Sequence, residues 1–209
     1  MRLRYNTYTM TVGIILSAGE SKRMGTAKQL LPWGKTIILQ QVIDNATASN
    51  LAQIILVLGC RAGEIANQIT LSSKTRIVIN NDYQEGMSSS VKCGVKNALA
   101  GAEAYMLLLG DQPFIGPAII NRVLYENQNR QHGIVIPVYN GKRGHPVIFD
   151  AKYKDELLAI ADLGAKAVVN NHPEGILEVH LDAPEILTDI DTPQDYREAQ
   201  AQAEGRKKD

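Results

Sequence analysis

A loop rich in small and cationic residues follows the first apolar run of the chain. The run Val12–Ser17 predicts a buried strand, and Ala18 and Gly19 come directly after it. Small residues let backbone N–H groups approach phosphate oxygens closely. The cations of the same loop, which are Lys22, Arg23 and Lys28, can neutralise charge on those oxygens. The loop therefore suits the binding of a nucleoside triphosphate.

This loop has neither of the two commonest phosphate-binding motifs. A Walker loop reads G-x-x-x-x-G-K-[ST], but here five residues separate Gly19 from Gly25, and Lys28 comes three residues later. The dinucleotide fingerprint G-x-G-x-x-G is also absent. The alternative is an ordinary strand-to-helix turn with solvated cations.

Aspartates follow two further predicted strands. Asp111 comes after the most apolar run, Ala104–Leu109, and we expect it at the carboxyl edge of a sheet, where open sheets bind ligands. Asp189 and Asp191 flank one isoleucine at the end of a predicted strand, Ile186–Ile190, so they would share one face. Mg²⁺ takes one or two carboxylates with substrate phosphates, so either could complete a site with Asp111. The alternatives are an Asp-Gln-Pro turn and a helix cap at Asp191.

Two other segments could contact a substrate. Ser90 and Gly94 lie at a serine-rich helix start, where free N–H groups and hydroxyls can contact a base edge or a phosphate; a plain serine cap is the alternative. A glycine-bracketed turn carries Arg143 and His145, which could hold an acidic or phosphorylated second substrate, although a turn histidine is often incidental. Lys166, at the start of a later predicted helix, could also reach an anion.

The composition excludes several classes of partner. Lys plus Arg equals Asp plus Glu at 22 each, so no global field favours nucleic acid or an anionic membrane. Two cysteines are too few for a disulfide framework or a zinc site. No apolar run is long enough to cross a bilayer and no signal peptide is visible, so we expect a cytoplasmic protein.

Apolar periodicity predicts strands alternating with helices. The predicted strands are Val12–Ser17, Gln53–Leu58, Arg76–Asn80, Ala104–Leu109, Gly133–Val138, Pro146–Phe149, Glu178–Leu181 and Ile186–Ile190. The predicted helices are Ile37–Ala48, Glu64–Ile69, Ser90–Ala100, Ala118–Gln128, Tyr153–Ile160, Ala165–Asn170 and a last helix from Pro193 to about Ala203. This order predicts an α/β chain with a three-layer αβα sandwich, formed by one domain at residues 10–203, with flexible ends at residues 1–9 and 204–209.

Five motifs, in the right order between Val12 and about Ala199, together resemble the MobA-like nucleotidyltransferases. They are Leu16-Ser17-Ala18-Gly19 with Ser21, Arg23-Met24-Gly25 with Lys28, Gly110-Asp111-Gln112-Pro113, Gly144-His145-Pro146 and Asp189-Ile190-Asp191-Thr192-Pro193. Within this family the chain is most similar to the molybdenum cofactor cytidylyltransferases. The resemblance implies a GT-A-like, Rossmann-related fold with a mixed, mostly parallel sheet. It also implies nucleotidyl transfer from a triphosphate to a phosphorylated acceptor, with release of pyrophosphate.

The resemblance also implies roles for individual residues. Asp111 is the expected principal Mg²⁺ ligand, and Asp191 falls where the family often has a second metal-binding residue. Arg23 and Lys28 fall where cations meet the triphosphate, and with Asp111 they form the expected catalytic set. The expected nucleotide contacts are Leu16, Ser17, Ala18, Gly19, Arg23, Lys28, Ser90, Gly94 and Asp111. The acceptor contacts expected from residue chemistry, and not from the resemblance, are Arg143, His145 and Lys166.

The same resemblance favours CTP over GTP. Guanylyltransferases of this family usually carry a double glycine and a Gly-x-Asp-Lys ending in the first loop, and Ser17-Ala18-Gly19 and Thr26-Ala27-Lys28 replace these here. The implied reaction transfers CMP from CTP to molybdopterin, giving molybdopterin cytosine dinucleotide, with a client molybdoenzyme of the xanthine dehydrogenase type as a further partner. The alternatives are guanylyl transfer to the same acceptor, transfer to a sugar phosphate or methylerythritol phosphate, and a non-catalytic maturation chaperone that binds the cofactor.

Overall fold

The computed structural model describes residues 9–129, 131–161 and 163–205. The strands are β1 (Thr11–Ser17), β2 (Pro32–Trp33), β3 (Thr36–Ile37), β4 (Gln53–Leu58), β5 (Thr75–Ile79), β6 (Ala104–Leu109), β7 (Ile134–Tyr139), β8 (Lys142–Arg143), β9 (Val147–Asp150) and β10 (Ile176–His180). The α-helices are α1 (Ile38–Thr47), α2 (Ala62–Ala66), α3 (Met87–Asn97), α4 (Pro117–Glu126), α5 (Lys154–Ala159), α6 (Lys166–Asn171) and α7 (Pro193–Gly205).

A mixed, mostly parallel sheet forms the middle layer. Its strands lie in the order β10-β7-β9-β6-β1-β4-β5, and the short β8 pairs with β7. The pairs β6–β1, β1–β4, β4–β5 and β7–β10 are parallel, whereas β9 runs antiparallel to both β6 and β7. The parallel register aligns Leu16 of β1 with Leu109 of β6. The loops that follow these two strands therefore leave the sheet at the same edge.

Helices cover both faces of this sheet because its strands are apolar on both sides. Ile14 packs with α3, α5 and α6 on one face, whereas Ile15 packs with α1 and α4 on the other. Ile54 and Ile55 of β4 divide between the two faces in the same way. Successive side chains of a strand point to opposite faces, so a continuous apolar run fills two cores. The three-layer arrangement and the mixed sheet confirm the predicted fold class.

A third, smaller core packs α7 against the loop that follows β1. It contains Met24 from that loop, Trp33 from β2, Ala199 from α7, and Ile190 from the segment before α7. The ring of Trp33 meets the ring of Phe114 edge to face, with centroids 5.1 Å apart. Because Ile190 is fully buried here, the segment on either side of it is held against the loop that follows β1.

The prediction of a strand at Ile186–Ile190 is wrong. The chain forms a 3₁₀ turn at Pro184–Leu187 in this segment. Pro184 has no N–H to donate to a neighbouring strand, and its fixed φ suits the first turn of a helix. Ile186 and Ile190 are both buried, but in different cores. The apolar spacing that predicted a strand therefore reflects two separate anchors.

The other predicted elements are present, with boundaries shifted by a few residues. The sequence patterns missed β2, β3 and β8, because strands of two residues show no periodicity. The predicted flexible ends lie outside the described residues for 1–8 and 206–209, and α7 continues to Gly205. Within the described ranges, no helix combines the length and apolarity that crossing a bilayer requires.

Candidate active site

Gln29 shapes the loop that follows β1. Its side chain is buried, and its Nε2 donates to the backbone oxygens of Ser17 at 3.4 Å and Gly19 at 3.3 Å. Its Oε1 accepts from the hydroxyl of Ser21 at 3.2 Å, and that hydroxyl in turn accepts from the backbone N–H of Lys28 at 3.3 Å. One buried amide thus joins the end of β1 to the middle and the end of the loop. This network folds the loop back and brings Lys28 beside the edge of the sheet.

Lys28 lies between two carboxylates that come from distant parts of the chain. Its Nζ donates to Asp111 Oδ2 and, at 2.8 Å, to Asp191 Oδ1. Arg23 donates to the other oxygen of Asp191 at 2.7 Å. The Lys28 and Asp111 side chains are largely buried, whereas that of Arg23 is 70% exposed. The four residues therefore form an ion cluster that is buried at one end and open at the other.

The charges of this cluster act on one another's pKa values. Partial burial disfavours the charge of Asp191, but the hydrogen bond and charge of Lys28, with those of Arg23, outweigh it and lower the pKa of Asp191. Burial acts to lower the pKa of Lys28, but Asp111 and Asp191 raise it. Asp191 and Lys28 are therefore held in their charged forms.

Asp189 has a different environment from Asp191. It accepts a hydrogen bond of 2.7 Å from Nε2 of the buried Gln112. Burial and the charge of Asp111 raise the pKa of Asp189, although the Gln112 hydrogen bond acts to lower it. The backbone N–H of Ile190 donates to the backbone oxygen of Asp111 at 3.2 Å, which joins the two acidic segments. The structure thus places Asp191 among the cations, whereas Asp189 is bound by Gln112 and feels a net unfavourable charge from Asp111.

The acidic residues fit a divalent cation that also contacts the substrate. Asp111 Oδ1 is buried, and no described residue makes a hydrogen bond to it. Carboxylate oxygens are the ligands that Mg²⁺ prefers, and this ion usually takes one or two of them and completes its shell with water and phosphates. In residues 9–129, 131–161 and 163–205, no three His, Cys, Asp or Glu side chains form a metal site by themselves. The donor set therefore fits a metal that is held jointly with a phosphate ligand.

Gly110 allows the two strand ends to come this close. A Cβ at this position would lie 2.7 Å from the hydroxyl of Ser17 and 3.1 Å from the backbone oxygen of Leu16. Contacts under 3.0 Å are not tolerated by real Cβ atoms. Any larger residue would push Asp111 away from the loop after β1.

A cleft of about 320 Å³ opens beside this cluster. Of the predicted nucleotide contacts, only Gly94 does not line this cleft. The predicted contacts that line it are Leu16, Ser17, Ala18, Gly19, Arg23, Lys28, Ser90 and Asp111. The structure places Gly94 in the packing of α3 against β1, where a Cβ would lie 2.3 Å from Ile14. Asp189 and Asp191 also line the cleft.

Sequence reasoning missed several residues of this cleft. Gln29, Tyr83, Gly86 and Met87 line it as well. Gly86 has a φ of +92°, which a glycine adopts easily, and it lets the chain turn from the segment after β5 into α3. A glycine directly before a serine-rich helix start was the available signal for this turn. The role of Gln29, by contrast, follows only from its tertiary contacts with Ser17, Gly19 and Ser21.

The predicted acceptor residues divide into two groups. The charges of Asp111 and Lys166 both act on the imidazole of His145. Burial lowers the pKa of His145 and Lys166 lowers it further, while Asp111 acts to raise it. Its backbone N–H donates to Ile186 at 3.0 Å. Arg143 instead pairs with Glu178 at 2.7 Å on the surface of β8 and β10. None of the three predicted residues lines the cleft described above.

Comparison with known proteins gives a consistent picture. The MobA-like NTP transferase domain matches residues 13–176. Molybdenum cofactor cytidylyltransferase from Escherichia coli K12 is 31% identical over 186 residues, which cover 88% of this chain and 92% of the relative. Nicotine blue oxidoreductase from Paenarthrobacter nicotinovorans is 28% identical over 172 residues, which cover 77% of this chain and 82% of that relative.

A solved structure agrees with these matches. Rv0371c from Mycobacterium tuberculosis H37Rv, in a complex with manganese, superposes with a TM-score of 0.78 at 28% identity. The superposition covers 92% of this chain and 99% of the mycobacterial chain. The family match extends over most of the chain, from β1 to the start of β10. The protein therefore belongs to the MobA-like NTP transferase family.

Proposed function

We propose that this protein transfers CMP from CTP to the terminal phosphate of molybdopterin, in a Mg²⁺-dependent reaction that releases pyrophosphate. The observation that carries nucleotidyl transfer is the ion cluster of Lys28, Arg23, Asp111 and Asp191 beside the small-residue loop. The first-loop residues Ser17-Ala18-Gly19 and the 31% identity to the Escherichia coli cytidylyltransferase support CTP and molybdopterin.

The chemistry asks the protein to bring two polyanions together. An oxygen of the acceptor phosphate attacks the α-phosphorus, the bond from that phosphorus to the bridging oxygen breaks, and pyrophosphate leaves. The acceptor phosphate is already ionised at neutral pH, so no strong general base is needed. Two unit charges about 4 Å apart repel by about 4 kcal/mol at an effective dielectric of 20. Offsetting this repulsion is therefore the main task of the site.

The chain's own residues supply most of this offset. The exposed guanidinium of Arg23 and the ammonium of Lys28 bind phosphate oxygens, and the backbone of Ala18 and Gly19 lets those oxygens approach closely. Asp111 and Asp191 would hold Mg²⁺. When bound, that ion neutralises charge on the reacting phosphates.

We assign the acceptor to the side of Asp111 where His145 and Lys166 lie. Lys166 attracts the acceptor phosphate, and an N–H of the His145 ring donates to one of its oxygens. Arg143 remains a predicted acceptor contact, and it would first have to leave Glu178. As the resemblance implies, the product passes to a client molybdoenzyme of the xanthine dehydrogenase type.

Pyrophosphate release across the four nucleoside triphosphates tests this proposal, with Mg²⁺ and with or without molybdopterin. We expect release with CTP and molybdopterin together, and a product that contains cytosine. One relative at 28% identity is named an oxidoreductase, so family membership alone does not decide the reaction and the product must be measured.

The other outcomes separate the competing functions. Release only with GTP would make the protein a guanylyltransferase. Release only with a sugar phosphate or methylerythritol phosphate would change the acceptor. Binding of molybdopterin without any pyrophosphate would refute catalysis and favour a maturation chaperone.

A further inference from the structure

Asn80 lies under the first turn of α3, one residue after β5, and its orientation is determined by its partners. The side chain is 4% exposed. Its Oδ1 accepts from the backbone N–H of Asp82 at 3.1 Å, and its Nδ2 donates to Ser89 Oγ at 2.8 Å and Ser90 Oγ at 3.0 Å. A backbone N–H can only donate, so the oxygen of the amide must face Asp82 and the nitrogen must face the serines.

The two serines use their own protons differently. Ser89 Oγ donates to the backbone oxygen of Gly86 at 2.8 Å, so it both accepts and donates within the protein. Ser90 Oγ accepts from Asn80, and among the described residues it has no acceptor for its own proton. Ser90 is 5% exposed and lines the cleft. Its O–H is therefore left to donate into the cleft.

We propose that Asn80 is a positioning residue that makes the Ser90 hydroxyl a hydrogen-bond donor toward the nucleotide, an inference that rests on the nucleotide binding proposed above. Because the amide nitrogen occupies the accepting side of Ser90, the hydroxyl recognises an acceptor on the ligand and not a donor. The neighbouring lining residues are Tyr83 and Met87, which suit a base more than a phosphate. The carbonyl oxygen and the unprotonated ring nitrogen of cytosine are acceptors of this kind.

The Asn80→Asp variant reverses this polarity with almost no change in shape. One carboxylate oxygen can still accept from Asp82, but the other can no longer donate to Ser90 and instead accepts its proton. The hydroxyl then has no proton for the ligand. We expect CTP affinity, measured by calorimetry without acceptor, to fall about tenfold, the size expected for an unpaired buried hydrogen bond.

Acidification provides a readout that a merely structural role would not change. A protonated carboxyl group at position 80 can donate again to Ser90, so lowering the pH should restore part of the CTP affinity of Asn80→Asp but not of Ser90→Ala. Ser90→Ala alone should also weaken CTP about tenfold. Adding Asn80→Asp to Ser90→Ala should cause no further loss, because both act through one proton. Ser89→Ala is the matched control and should change CTP affinity less than about twofold.

Each outcome has one meaning. If wild-type protein binds CTP and either Asn80→Asp or Ser90→Ala binds it within twofold of wild type, this assignment is wrong and the proposed function stands. If wild-type protein binds no nucleoside triphosphate, the proposed function fails and this assignment falls with it. Should Asn80→Asp not fold, the pair Ser90→Ala and Ser89→Ala decides, and equal effects would overturn the assignment.

Discussion

Removing the ammonium group of Lys28 should tighten the binding of a divalent metal in the absence of nucleotide. Lys28 Nζ bridges Asp111 and Asp191, the two carboxylates proposed to hold Mg²⁺. A metal that approaches them must either tolerate this positive charge or displace it from two hydrogen bonds. Lys28→Met keeps most of the side chain's length and apolar contacts and removes the charge.

The size of the effect follows from Coulomb's law. Two unit charges about 4 Å apart interact by about 1 kcal/mol in bulk water and about 4 kcal/mol at an effective dielectric of 20, and a divalent ion doubles both values. Arg23 is 70% exposed and the Asp191 side chain 27% exposed, so water screens this end of the cluster, whereas Lys28 and Asp111 are largely buried. The lower value of about 2 kcal/mol is therefore the minimum effect. Since about 1.4 kcal/mol is tenfold, metal affinity should rise at least about 30-fold.

Mn²⁺ titration followed by electron paramagnetic resonance measures this affinity without turnover. Lys22→Met is the matched control, because it removes the same charge from the same loop, but Lys22 is 81% exposed and pairs with Glu20. It should leave the affinity nearly unchanged, and Lys28→Met with Asp111→Asn should lose the gain. An unchanged or weaker Mn²⁺ affinity in Lys28→Met would refute the idea that lysine and metal compete for these carboxylates.

Three further predictions concern the site and the helix that supports it. Asp111→Asn should lower kcat in the pyrophosphate assay at least about a hundredfold with little change in Tm, since it removes a charge proposed to hold the metal; an active variant would exclude Asp111 as that ligand. Thr192→Ala removes the hydroxyl that accepts from the Asp195 N–H at 3.2 Å at the start of α7. We expect this variant to lower the free energy of unfolding, measured by calorimetry, by about 1 kcal/mol, which corresponds to a Tm lower by about 2–4 °C for a chain of this size. Burial acts to raise the pKa of Asp195, but hydrogen bonds from Thr192 and the backbone of Asp191 lower it below 3.8. The ionised Asp195 side chain therefore stabilises the folded protein above that pH, and this stabilisation is lost as the pH falls through the folded-state pKa. The Tm difference between wild type and Asp195→Asn should therefore stay constant above about pH 5 and shrink as the pH falls below about 4. A difference that stays constant down to about pH 2 would contradict this reasoning.

The loop after β1 and the position of Asp111 could be predicted because their signals are local. Apolar runs predicted β1 and β6, and the small or acidic residues after them predicted a ligand site at the carboxyl edge. The register that aligns Leu16 with Leu109 brings the two segments together as expected. In a mostly parallel sheet this meeting follows from the direction of the strands.

The choice between Asp189 and Asp191 could not be made from the sequence. Both flank Ile190, and a strand would have placed them on one face. The 3₁₀ turn at Pro184–Leu187 and the burial of Ile190 instead turn Asp191 toward Lys28 and Asp189 toward Gln112. Burial in a particular core sets these directions, and a spacing of two residues does not encode it.

The sequence by itself determined the order of most of the longer strands and helices, the small-residue loop and the edge of the sheet at which charged residues lie, because periodicity and turn residues act over a few positions. The tertiary structure alone decided which polar groups meet. Gln29 shapes the first loop, Lys28 lies between two aspartates, and Asn80 orients Ser90. Each of these contacts depends on distances between elements that packing sets, and hydrogen bonds and ion pairs are sensitive to those distances within a fraction of an ångström.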